Sequence, residues 1–417
     1  MSTKLDPARQ AWMRWPETLA VLAALTKDGG AARFVGGCVR NALLGCEVDD
    51  IDIDIATPLL PDDVVKRLKA AGLGAVPTGI EHGTVTAVAN GKPYEITTLR
   101  RDVATDGRHA VVAFTTDWAE DAWRRDFTMN ALYAGADDEI FDYATGIADL
   151  KAGRVRFMGD AVTRIREDYL RILRLFRFQA WYGKGEIDPE ALQAAAAERA
   201  GLQKLSGERI AKEMLKLLRA ENPVPCLRAM AATAILPEIM PGALSLARLE
   251  RLVQIESDAF FAPDAILRLA ALLPDDMKAA GALCDRWKLS NADRMRLEDL
   301  ASATEKIVPY LSIREVRKLL YRLDRQRFRD RAMLRWAEDP KTSNAVQWRA
   351  LLAMADSWQR PHFPLTGRAV MAAGVPEGPL VGRVLAEVEE WWIDADFTAD
   401  EFSLAERLKA VVQATVY

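Results

Sequence analysis

Cysteine is scarce in this chain of 417 residues: Cys38, Cys46, Cys226 and Cys284 are the only four, and no two stand in a Cys-x-x-Cys spacing. Histidine is scarcer, and His82, His109 and His362 lie too far apart for a His-Glu-x-x-His or Cys2His2 pattern. Zinc and structural disulfides are therefore not expected, and Cys38 and Cys46, flanking an apolar stretch, read as small packing residues. No run of about 18 uninterrupted apolar residues occurs, so a helical membrane span is not expected. The first twenty residues scatter Lys4, Asp6, Arg9, Arg14 and Glu17 where a secretory signal needs an apolar stretch. The expected location is the cytoplasm.

What is present is a chain half hydrophobic and 28% charged, which excludes wholesale disorder. At roughly 100–200 residues per domain it allows about two to four domains. The net charge of −4 conceals a segregation: residues 151–219 carry 15 Lys/Arg against 9 Asp/Glu and residues 314–335 carry 9 against 3, so these windows hold +12 and the rest −16. Such concentration is expected of a face that meets a polyanion, although solvated helix surface has the same composition.

The texture changes near residue 155. Before it, short β-type runs (33–35, 50–56, 83–88, 94–99, 111–114, 139–142) alternate with helical patterns at 17–26, 38–44, 62–71 and 126–132, which reads as one α/β domain. After it, a 3.6-residue apolar period interrupted by Gly and Pro reads as all-α.

Four segments carry chemistry. Val35-Gly36-Gly37-Cys38-Val39-Arg40-Asn41 joins a strand to a helix, so that backbone N–H groups can approach a phosphate and Arg40 adds charge one turn in. Asp50, Asp52 and Asp54 alternate with isoleucine; residues two apart on a strand share a face, and paired carboxylates suit divalent cations. The plain alternative is an edge strand with a polar solvent face. In Arg124-Arg125-Asp126-Phe127-Thr128-Met129-Asn130, Asp126 has the character of a helix N-cap. In Glu167-Asp168-Tyr169-Leu170-Arg171-Ile172-Leu173-Arg174 a single helix puts Asp168 and Arg171 on one face at i,i+3, which a surface ion-pair ladder would also explain.

Taken in order, these segments resemble the class II tRNA nucleotidyltransferase and bacterial poly(A) polymerase family of the polymerase β-like superfamily. The resemblance continues through Asp142-Tyr143-Ala144-Thr145-Gly146 and Ser206-Gly207-Glu208-Arg209-Ile210, and more loosely through Leu365-Thr366-Gly367, Gly374, Gly378-Pro379 and Gly382. It implies an α+β catalytic head at 1–155, a basic helical neck at 156–222 that selects the nucleotide, a helical body at 223–338, and a helical, RNA-binding tail at 339–417. Asp52 and Asp54 would hold Mg²⁺, with Glu95 a candidate third carboxylate; Asp50/Asp52 is the competing register. Gly36, Gly37, Arg40, Arg125, Asp126 and Asn130 would meet ribose and phosphates, and Arg174 a base or a phosphate. Asp168 and Arg171, with Glu167 orienting Arg171, would read the amino donor and ring-nitrogen acceptor that cytosine and adenine share.

The implied activity is template-independent addition of C, C and A to the 3′ end of tRNA from CTP and ATP. Arg101 to Arg108 has the look of the family's flexible loop, expected where A is added, and the acidic C-terminal helices (Glu387, Glu389, Glu390, Asp394, Asp396) lack the basic extension expected of a poly(A) polymerase. Arg314 to Arg335 is expected to grip the acceptor and T arms through phosphates. One departure stands out: the family's Gly-Gly segment usually ends in Arg-Asp, and here it ends in Arg40-Asn41. The remaining alternatives are a poly(A) polymerase, an A-adding member of a split pathway, protein-directed nucleotidylation, and a catalytically inactive RNA-binding protein.

Overall fold

Short strands bearing β-branched residues and helices opened by proline or closed by glycine alternate through the first third of the computed structural model, which describes residues 4–6, 10–46, 51–106, 109–240, 242 and 244–416. In chain order these are α1 (Pro16–Thr26), β1 (Arg33–Val35), α2 (Gly37–Leu44), β2 (Asp54–Thr57), α3 (Pro61–Ala70), β3 (Gly74–Gly79), β4 (Thr84–Ala89), β5 (Lys92–Thr98), β6 (Arg100–Asp106), β7 (His109–Phe114), α4 (Trp118–Trp123), β8 (Leu132–Ala134), β9 (Ile140–Asp142) and α5 (Gly146–Ala152). Helices follow: α6 (Ala161–Glu167), α7 (Leu170–Tyr182), α8 (Pro189–Ala197), α9 (Gly207–Leu218), α10 (Val224–Ala232), α11 (Leu236–Ile239), α12 (Leu246–Asp258), α13 (Ala265–Leu272), α14 (Met277–Trp287), α15 (Asn291–Ala301), α16 (Ile313–Leu323), α17 (Arg325–Glu338), α18 (Ala345–Ser357), α19 (Gly367–Ala372), α20 (Pro379–Asp394) and α21 (Glu401–Val416). The chain divides into one unit of residues 1–242 with 285–289, and a second of 243–284 with 290–417.

In the first unit seven strands form a mixed sheet in the order β3-β4-β5-β2-β1-β8-β9. β2 is central, parallel to β5 with Asp54 opposite Glu95 and antiparallel to β1. That position rules out the edge-strand account of the aspartates. Ile53 and Ile55 are buried while Asp52 is exposed and Asp54 half-buried, so the alternation sends apolar groups into the core and carboxylates outward. The strand begins at Asp54, later than expected, and Asp50 lies outside the described residues. β6 and β7 pair only with each other, so the described part of the segment expected to be a loop is a two-stranded ribbon.

Two helix expectations need correction. Residues 126–132 form a single 3₁₀ turn (Thr128–Asn130) that passes into β8, because Asp126 does not cap a helix: its Oδ1 accepts from the adjacent Phe127 N–H and from Asn130 Nδ2. The expected continuous helix through Glu167 and Arg174 is broken at Asp168, whose extended backbone (φ −155°, ψ 106°) separates α6 from α7.

In the second unit Tyr321, Phe363, Val370, Val388 and Trp392 share one core with Leu404 and Leu408. A fully buried pair, Glu256 and Arg268 at 2.7 Å, joins α12 to α13. Most of the positive window on α16 and α17 is engaged in ion pairs. Arg317 pairs with Asp396, Lys318 with Asp394 and Glu390, Arg322 with Glu390, Arg329 with Asp356, Arg331 with Asp299 and Glu305, and Arg335 with Asp275 and Glu338. Most of the cations in Arg314 to Arg335, the segment expected to grip phosphates, are thus engaged with carboxylates, Glu390 and Asp394 of the tail helix α20 among them. Among the described residues no helix is long and apolar enough to cross a membrane, and the four cysteines are free thiols, only Cys46 exposed.

Candidate active site

The strand-to-helix turn from β1 into α2 opens the site. Gly36 adopts φ 74° and ψ −124°, a conformation that side chains rarely take, and an added Cβ would stand 3.8 Å from Arg125 Nη1 and 3.9 Å from Asp54 Oδ2. The glycines thus leave the N-terminal backbone of α2 open beside the carboxylates, where the unpaired N–H groups of a helix start favour an anion. Arg40, one turn on, is 6% exposed. It donates to Asn130 Oδ1 at 2.6 Å, Tyr182 OH at 2.7 Å and Asn41 Oδ1 at 2.9 Å, and lies 4.0 Å above the Tyr182 ring. All these partners are neutral. Asn41 keeps the hydrogen bond that an aspartate would make but leaves the Arg40 charge uncancelled by its neighbour.

Asp52 and Asp54 face the same cleft, and Glu95 stands beside Asp54 across the parallel pair β2 and β5. Burial, followed by repulsion from Glu95, pushes the Asp54 carboxyl up to about 6, against the pull of Arg125; Asp52 adds to the rise. A carboxylate this reluctant to ionise gains from a cation. Among the described residues no three His, Cys, Asp or Glu side chains converge closely enough to hold an ion unaided. Two carboxylates completed by substrate oxygens remain a fitting donor set for a hard, octahedral divalent ion.

Arg124 and Arg125 are set by a residue that the sequence reading did not single out. Asp121, 1% exposed on α4, accepts from Arg124 Nε at 2.7 Å, Arg125 Nη2 at 3.0 Å and Tyr133 OH at 2.7 Å. Burial opposes its ionisation, yet the two guanidiniums outweigh that and hold its carboxyl well below the usual range. The available signal was its i,i+3 and i,i+4 spacing to the two arginines. Asp126 is likewise held low, to about 2: burial is overcome by the Arg174 charge and the Asn130 hydrogen bond. Arg174 Nε reaches it at 2.7 Å.

The break at Asp168 has its own cause. Arg209 of α9 draws the Asp168 carboxylate at 2.7 Å, and the other oxygen of that carboxylate accepts the Leu170 N–H that starts α7. Asp168 and Arg171 both line the cleft; the Arg171 N–H donates to the Asp168 carbonyl at 3.0 Å, while their side chains pair with other residues. Arg171 pairs with Glu167 and donates to the Arg164 carbonyl at 2.7 Å; Arg164 also pairs with Glu167 and donates to the Arg125 carbonyl at 2.8 Å. Glu213 of α9, 5% exposed, sits between Arg177 and Arg174, the latter at 3.7 Å. Glu213 also escaped the sequence reading, and Arg209 entered it only as part of a motif without a role, because each acts on a residue more than thirty positions away.

The resulting cleft, about 730 Å³, brings together Gly36, Gly37, Arg40, Asp52, Asp54, Arg125, Asp126, Asn130, Asp168, Arg171 and Arg174. Glu167 stands behind Arg171, and Glu95 beside Asp54. Its lining offers the Asp52 and Asp54 carboxylates together with a surplus of guanidinium. That arrangement can bind a polyphosphate with a cation and present separate donor and acceptor edges to a planar group.

Two family models match the chain: the poly A polymerase head domain over residues 32–156, and a probable RNA and SrmB-binding site of polymerase A over residues 186–246. The mitochondrial CCA tRNA nucleotidyltransferase 1 of Mus musculus is 34% identical over 399 residues, spanning 92% of this chain and 87% of that enzyme. The CCA-adding enzyme of Levilactobacillus brevis is 32% identical over 376 residues, spanning 88% and 91%. The crystal structure of the Bacillus stearothermophilus CCA-adding enzyme in complex with CTP superposes with a TM-score of 0.76 at 26% identity, covering 95% of this chain and 97% of that one.

Proposed function

Since the chain belongs to the class II CCA-adding tRNA nucleotidyltransferase family, we propose that it adds C, C and A to the 3′ end of tRNA from CTP and ATP. The observation that carries this reading is the meeting, in one cleft, of Asp52 and Asp54 with the Asp168 and Arg171 edges.

The residues divide the work by their chemistry. Gly36, whose own N–H is taken by the Leu132 carbonyl, keeps the turn open, and the N–H groups from Gly37 onward, with Arg40 and Arg125, receive the triphosphate; Arg40 brings a charge that its neutral partners do not cancel. Asp126, kept ionised by Arg174, accepts a hydrogen bond from a ribose hydroxyl, and Asn130 holds it in place. Arg171, oriented by Glu167, donates to a ring nitrogen while Asp168 accepts from an exocyclic amino group. This pairing suits cytosine and adenine and mismatches guanine and uracil by about 1–3 kcal/mol. Asp52 and Asp54 would hold a pair of Mg²⁺ ions, with Glu95 adding negative charge beside Asp54; bound there, the two ions would supply charge stabilisation for attack of the RNA 3′ hydroxyl on the α-phosphorus. Exposed cations of the neck, among them Lys184, Lys212 and Arg219, are placed to meet tRNA phosphates.

The test is a 3′-extension assay on tRNA transcripts ending before CCA, after C and after CC, with each nucleotide alone and together, beside an unstructured RNA. Addition of C, C and A followed by arrest, lost in Asp52→Ala, is the expected result. Open-ended A tracts would make the protein a poly(A) polymerase. Addition of A only to the CC end would indicate a split pathway, and no incorporation would leave an RNA-binding protein.

A further inference from the structure

Arg40 is held from two directions. Asn41 and Asn130 belong to α2 and to the turn before β8, whereas the third partner, Tyr182, is the last residue of α7. Resting on the assignment of the triphosphate to Arg40 and the N–H groups at the start of α2, we propose that Tyr182 is a positioning residue for that site. It fixes the Arg40 guanidinium beside the glycine turn without cancelling its charge, and it acts on the nucleotide only through Arg40.

Two contacts from one side chain do this. The Tyr182 hydroxyl accepts from Arg40 Nη2 at 2.7 Å, and the guanidinium carbon stands 4.0 Å from the centroid of the same ring. Phe178, one turn earlier on α7, lies 5.3 Å from that guanidinium and 5.7 Å from the Tyr182 ring, so two aromatic rings back one cation. Of the five N–H donors of a guanidinium, Asn41 takes those on Nε at 3.2 Å and on Nη2 at 2.9 Å, Tyr182 takes the second on Nη2, and Asn130 takes one on Nη1 at 2.6 Å. One Nη1 donor and the charge remain for an anion. Nη2 stands 3.7 Å from the point that a Gly37 Cβ would occupy, which sets the charge at the turn itself.

The choice of side chain matters. A carboxylate at the end of α7 would grip Arg40 and also neutralise it, while an aliphatic side chain would spare the charge and give up the grip. Tyrosine holds without neutralising. A long side chain ordered before the ligand arrives loses less freedom on binding it, so the placement should be read as triphosphate affinity. Tyr182 is half-buried and does not line the cleft, so its effect on a nucleotide passes either through Arg40 or through the general support of α7. These two routes are separable.

Dissociation constants of CTP, measured by calorimetry on the full chain with Mg²⁺ and no RNA, test this. Tyr182→Phe, which keeps the ring and loses the hydroxyl, should weaken CTP about threefold, and Tyr182→Leu, which loses both, about tenfold. Inorganic tripolyphosphate should weaken by the same factors. In an Arg40→Gln background Tyr182→Leu should change CTP affinity by less than about twofold, because the group it acts through is gone. A residue that merely supports α7 would lower affinity by the same factor in both backgrounds. That result would overturn the proposal, as would unchanged binding of CTP or of tripolyphosphate in Tyr182→Leu. Circular dichroism checks the fold of each variant, and if Tyr182→Leu does not fold, Tyr182→Phe carries the same cycle. A chain that binds CTP with these ratios and extends no tRNA would lose the activity proposed above and keep this role for Tyr182. One that adds C, C and A while Tyr182→Leu binds CTP as the parent does would keep the activity and lose the role.

Discussion

Two regions of this molecule are almost equally basic as sequence and differ in what their charge is for. Around the cleft one carboxylate is shared between two guanidiniums: Asp121 serves Arg124 and Arg125, Glu167 serves Arg164 and Arg171, and Glu213 serves Arg174 and Arg177. On α16 and α17 cations and carboxylates are nearly matched. Lys318, Arg331 and Arg335 each face two carboxylates, although Glu390 also serves Arg322, Asp299 also serves Arg327, and Asp275 and Glu338 also serve Arg248; Glu390 and Asp394 come from an acidic helix some seventy residues later. Two guanidiniums to one carboxylate leave positive charge over for a ligand; a near match consumes it. Composition alone cannot tell a binding face from an internally neutralised surface, because the deciding partners are distant in sequence.

The comparison can be broken from either side. The largest effect should come from the anionic half of the cleft: Asp52→Ala is expected to lower nucleotide incorporation by about a thousandfold or more, measured in single-turnover extension with circular dichroism unchanged. In the second unit, Arg268→Leu strands the buried Glu256 and should cost about 3–5 kcal/mol in urea denaturation, with the cleft residues untouched.

A pH experiment comes next. The Asp54 carboxyl titrates near 6 when folded and near 3.9 when unfolded, so ionising it opposes folding. The penalty is absent below about pH 4, grows as pH rises to about 6 and is complete above. Asp54→Asn should therefore exceed the parent in stability at pH 7.5, by up to about 3 kcal/mol, with the gap closing by pH 4. Mg²⁺ should narrow the gap at pH 7.5 by stabilising the parent alone. A gap that stays constant with pH would show that Asp54 ionises freely.

The smallest effects bear most directly on the contrast. Lys212→Gln and Arg219→Gln should each reduce the salt slope of tRNA binding by about one, as expected when a phosphate contact is lost. Arg322→Gln, which removes a cation already paired with Glu390, should change tRNA affinity less than threefold and stability by less than about 1 kcal/mol. A larger loss of affinity from Arg322→Gln than from Lys212→Gln would reverse the comparison.

Much of the head was legible because its signals are local. Alternation placed Ile53 and Ile55 inward, and the Gly36-Gly37 turn and the 3.6-residue period of α7 were readable from neighbours alone. Two of the misreadings have long-range causes. The apolar period runs unbroken through Asp168, and only Arg209, forty-one positions away, pulls that residue out of the helix. Asp126 has the composition of a cap, but Arg174 claims its side chain from forty-eight positions away. Asp121 was missed although its partners are close, because an aspartate spaced three and four residues before arginines usually marks an exposed ladder, and only burial shows it to be a hub.

The Asp126–Arg174 pair joins two tasks that chemistry would otherwise keep apart. Arg174 sits one turn beyond Arg171 on α7, and Asp126 is the proposed seat of the sugar. If a base of the wrong width levers α7 aside, the helix tows the ribose seat with it, like a sight fixed to a barrel. Misrecognition at one end of the nucleotide then becomes misalignment at the other. Rejection on this account is registered in how fast a bound nucleotide reacts, more than in how tightly it is held.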